Sequence, residues 1–70
     1  MKLDTALMQE VASRCSGQNN HTAFNLLAGY LTAVREFNKG DEEFLAVAQE
    51  AEMRLRIFLA KLRQESGYKH

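Results

Sequence analysis

Apolar residues recur along this chain at intervals of three and four, the spacing of a helix face, in three segments separated by short polar stretches. In the first segment Leu7, Met8, Val11 and Cys15 make a single stripe, which predicts a helix over about residues 4–15. Asp4 stands where an N-cap carboxylate would accept a free backbone N–H, and Leu3 before the cap is placed to pack on Met8 inside it. Gly17 and the polar run Ser16 to Asn20 close the segment.

The second segment, about 22–38 with Asn20 or Thr22 as a cap, carries Ala23, Phe24, Leu26, Leu27, Tyr30, Leu31, Ala33, Val34 and Phe37. On a helical wheel these fill roughly 180°, too broad an arc for a helix with one neighbour. The segment is therefore expected to lie between the other two, showing water only the side of Asn25, Thr32, Arg35, Glu36 and Lys39.

Asn38-Lys39-Gly40-Asp41 reads as a stop followed by a start: Gly40 suits the left-handed position after a helix, and Asp41 suits a cap. Glu42 and Glu43 then set negative charge at the positive end of the next helix dipole. The third helix, expected over about 41–66, is roughly 38 Å long at the usual rise per residue. Phe44, Ala48, Ala51, Leu55, Phe58 and Leu62 form a heptad-like seam, with Val47 and Leu59 expected to widen it on either side. The short link makes helices two and three antiparallel neighbours. The fold expected is all-α: a three-helix antiparallel bundle of a short, a medium and a long helix, forming one domain over residues 1–70.

A chain of 70 residues buries too little surface to be comfortably stable alone and usually draws on disulfides, a metal or association. One cysteine cannot form an internal bridge, and with no signal-like N-terminus it points to a reducing, cytoplasmic setting. No apolar run approaches the length of a membrane span. Nine basic residues balance nine acidic ones, so no net field recruits a polyanion.

Candidate chemistry is sparse. Cys15 and His21 are the one pair resembling a nucleophile and base, and neither an orienting group nor an oxyanion site accompanies them. Cys15, His21 and His70 do not form a spaced metal-ligand set, the glycines make no phosphate loop, and the carboxylate pairs Glu42/Glu43 and Glu50/Glu52 read as solvated charge on a helix. No catalytic activity, cofactor or metal is expected.

Helix three changes sign along its length. Asp41, Glu42, Glu43, Glu50 and Glu52 precede Arg54, Arg56, Lys61 and Arg63 without intermixing. Arg54 and Lys61 fall on one flank of the seam and Arg56 and Arg63 on the other, while Glu50 to Arg54 and Glu52 to Arg56 are favourable helical ion-pair spacings. On the side opposite the seam, Ala46, Met53, Ile57 and Ala60 share an arc of roughly 60°. A strip of that kind on so short a chain suggests an interface. Segregated charge suits two copies meeting antiparallel about a twofold axis.

The expectation is a non-enzymatic interaction module, a regulator, adaptor or inhibitor of a larger protein. It self-associates through Ala46, Met53, Ile57 and Ala60, with Arg54, Arg56, Lys61 and Arg63 setting orientation. In size and class it is similar to the small helical-hairpin regulators and accessory proteins of bacteria and phages. The alternative is a small nucleic-acid-binding regulator using the basic half of helix three.

Overall fold

Asp4 starts the first helix: its carboxylate accepts the Leu7 N–H at 3.0 Å, leaving its own N–H to the hydroxyl of Tyr30 at 2.9 Å. The computed structural model describes residues 1–67, with side chains through residue 65. It consists of α1 (Thr5–Arg14), α2 (Asn19–Asn38) and α3 (Phe44–Gly67), packed helix on helix with no strand among the described residues. The 24 residues of α3 make the molecule long and narrow, 47 × 17 × 16 Å.

Two boundaries move from their expected places. Gly17, at φ 58°, turns the chain sharply enough for the Asn19 and Asn20 N–H groups to bond back to Ser16 and Gly17. α2 therefore begins at Asn19, before the caps expected at Asn20 or Thr22 are used. At the other link the carboxylate of Asp41 accepts the Glu43 N–H at 3.2 Å, and Phe44 and Leu45 bond back to Asp41 and Glu42. These three-residue closures make a tight turn, so α3 proper starts at Phe44 and not at Asp41. Gly40 meets expectation: at φ 113° it lets its own N–H reach the Phe37 carbonyl while Asp41 N–H reaches Glu36, the paired bonds of a Schellman ending.

The core runs along the middle of the molecule. Leu7 and Val11 from α1, Ala23, Tyr30, Ala33 and Val34 from α2, and Ala48, Leu55 and Leu59 from α3 are buried together. Leu3, Met8, Cys15, Phe44, Ala51 and Phe58 pack on its margin, and Leu62 is buried near the end of α3. Alanines at 23, 33 and 48, each at most 1% exposed, let the α2 and α3 backbones approach closely. Two expected core residues are outside. Phe24 is 69% exposed and Val47 48% exposed, because each stands at the edge of its apolar arc, about 100° from the nearest buried neighbour in sequence.

The helices are also tied by side chains. Met1 and Asn38 exchange two hydrogen bonds, from the terminal amine to Oδ1 at 2.7 Å and from Nδ2 to the Met1 carbonyl at 2.8 Å. Asn19 Nδ2 lies 3.4 Å from the Glu65 carboxylate. No helix of the described residues is long and apolar enough to cross a membrane.

Candidate functional site on the outer face of the long helix

The seam of α3 faces the core through Ala48, Leu55 and Leu62, so the helix period turns Ala46, Met53, Ile57 and Ala60 the opposite way. All four are exposed. Met53 is 61% and Ile57 55% accessible, and both are surrounded by the outer surface of one helix. Their exposure is what their spacing required.

The four basic residues of α3 divide. Arg56 and Arg63 are on the flank facing α1 and are held by it: Arg56 Nη2 reaches Asp4 Oδ2 at 2.9 Å, and Arg63 places Nη2 2.7 Å and Nε 3.0 Å from Glu10 Oε2. Arg56 is also paired with Glu52, as its spacing predicted, and Glu10 is shared with Arg14. The arginine hydrogen bonds, that of Arg63 first, hold the Glu10 carboxyl below its ordinary pKa. Asp4, Glu10, Arg56 and Arg63 line a cavity of about 280 Å³ between α1 and α3, together with Leu7 and Leu59. Its four charged side chains are paired with one another across the cavity, so it is a tie between helices. Arg56 and Arg63, expected to orient a partner, meet carboxylates 52 and 53 residues away in sequence, beyond the reach of a local spacing rule.

Arg54 and Lys61 stand on the opposite flank. Arg54 meets Glu50 at 3.4 Å, the other ion pair its spacing predicted, and both side chains are about two-thirds exposed. Lys61 makes no ion pair among the described residues. Beside them a shallow groove of about 160 Å³ between α2 and α3 is lined by Gly29, Val47, Glu50, Ala51 and Arg54. A methyl added at Gly29 would meet nothing within 4 Å, so α2 forms a low wall there. Val47 is the surface residue that the sequence reading missed. The signal was present, since 47, 54 and 61 lie seven apart and so share a flank.

Cys15 is half-buried against the core, its thiol 3.4 Å from the Ala12 carbonyl, and His21 is exposed. His70 lies outside the described residues. Compared with protein-family models, curated proteins and solved structures, the chain matches none.

Proposed function

We propose that this protein is a non-enzymatic interaction module that presents the outer face of α3 to other proteins, a second copy of itself first among them. The observation that carries the reading is the exposure of Met53 and Ile57, two large apolar side chains one helical turn apart, on a face that the fold leaves uncovered. The size of the chain supports it, because a domain this small gains most from burying a further apolar surface against a partner. The reading includes an up-down-up helix order. It is supported by the Asn19 to Glu65 and Met1 to Asn38 contacts, each of which joins the start of one helix to the end of another.

Nucleic-acid binding through the basic half of α3 is the weaker reading, since Arg56 and Arg63 lie against Asp4, Glu52 and Glu10, whose carboxylates offset their charge. Light scattering over a concentration series tests the leading proposal. Twice the monomer mass on the order of tens of micromolar, falling to the monomer mass for Ile57→Glu, is expected. A monomer throughout would remove it.

A further inference from the structure

Arg56, Arg63 and Glu52 pair on the flank of α3 that faces α1, and the side chains of the opposite flank, where it adjoins the outer face, are ordered. Glu43, Val47, Glu50, Arg54, Ile57 and Lys61 follow one another at spacings of four, three, four, three and four residues, a second heptad-like seam on the side of α3 away from α1. All six are exposed, Glu43 standing immediately before the helix.

Read outward from its centre, this seam is the inverse of itself. Arg54 mirrors Glu50, Ile57 mirrors Val47, and Lys61 mirrors Glu43: base answers acid and apolar answers apolar. Two such seams laid antiparallel about the level of residue 52 would form six layers. Glu43 would face the partner's Lys61, Val47 the partner's Ile57, and Glu50 the partner's Arg54, each twice by the twofold axis. Laid parallel, Glu43, Glu50, Arg54 and Lys61 would each meet their own like charge.

We infer that the second copy docks antiparallel in this register, its Ile57 seated on Val47 in the shallow groove beside Gly29 and its charges closing Glu50/Arg54 and Glu43/Lys61 pairs across the axis. This rests on the reading of α3 as a self-association face and adds the orientation, the register and the residues that select them. The groove supplies an argument independent of charge. Val47, Gly29 and Ala51 make a depression at the level that the register assigns to the incoming isoleucine. Met53, close to residue 52 in level but about 80° round the helix from the middle of the seam, would then lie along one edge of the contact with Ala46 and Ala60. Glu50 and Arg54 already pair within one helix, so association would join two pairs into a four-charge ring. Paired charges at core positions add little affinity but penalise other registers strongly, so the dimer should be specific and of modest strength.

Disulfide trapping and charge exchange test this together. In a Cys15→Ala background, chains carrying Glu43→Cys are mixed with chains carrying Lys61→Cys and oxidised mildly, with solution mass followed in parallel. The mixed 43–61 product should dominate over both self-linked products. Glu50→Arg should weaken dimerisation by roughly tenfold or more, and adding Arg54→Glu in the same chain should restore it to within about threefold. Circular dichroism checks that each variant is folded. A dimer that traps as 43–43 and 61–61, or one indifferent to Glu50→Arg, would overturn the register while leaving the α3 face as the interface. A wild-type protein that is monomeric throughout would overturn both.

Discussion

The hydroxyl of Tyr30 accepts the backbone N–H of Asp4 at 2.9 Å from a side chain with no solvent exposure, so the middle of α2 fixes the first residue of the chain's first cap. The same Asp4 caps Leu7 and binds Arg56, which makes this one residue the junction of all three helices. Tyr30→Phe keeps the ring in place and leaves the Asp4 N–H without its acceptor. The expected loss is about 1 kcal/mol, a fall of roughly 4–8 °C in Tm for a domain of this size, read by thermal circular dichroism.

Glu10 gives the fold a defined acid sensitivity. Its folded pKa is depressed by the hydrogen bonds from Arg63 and Arg14, so its contribution is full above the pKa of a free glutamate and is lost as pH falls through the lower, folded value. Tm should therefore drop on acidification across that window. Glu10→Gln should lower Tm at neutral pH and flatten that part of the profile, and an unchanged profile in the variant would count against the α1–α3 tie.

Leu55 and Ile57 stand two residues apart and differ completely in setting, the first with no exposure and the second 55% exposed. Leu55→Ala should cost about 2–5 kcal/mol, a large share of the stability of so small a domain. Ile57→Ala, measured where the protein is monomeric, should change stability by no more than about 0.5 kcal/mol. Urea denaturation of the two variants side by side compares core and surface directly.

Gly40 has space for a side chain but not the backbone for one. Nothing lies within 4 Å of an added methyl, yet its φ of 113° is disfavoured for any other residue. Gly40→Ala should cost about 1–2 kcal/mol through conformation alone, without a change in the packed core.

The sequence made the helices and their inward faces legible because burial follows a period that can be counted. Leu7, Val11, Tyr30, Val34, Ala48, Leu55 and Leu62 are all buried where the stripes predicted. It was less informative at the links. Asp41 reads as a cap by type, and only the competition between a cap and a tight turn, which depends on where α2 leaves the chain, assigns its carboxylate to Glu43. The candidate face was legible for Met53 and Ile57, whose exposure follows from the seam opposite. For Arg56 the sequence shows only the local partner Glu52 and for Arg63 none; Asp4 and Glu10, more than fifty residues earlier, meet them only once α1 packs on α3. Val47 was misread because it lies at the border of two seams on the same helix, and which seam owns it depends on how far α2 extends over it.

The central claim is that α3, and not another exposed apolar surface, carries self-association. Phe24 on α2 is the most exposed large apolar residue among the described residues, at 69%, which makes it the natural control. Sedimentation equilibrium of the wild type, Phe24→Glu and Ile57→Glu, on the order of tens of micromolar, separates the two surfaces. The account predicts dimers for the wild type and Phe24→Glu and a monomer for Ile57→Glu. A wild-type monomer, or a dimer that survives Ile57→Glu and is lost in Phe24→Glu, would contradict it.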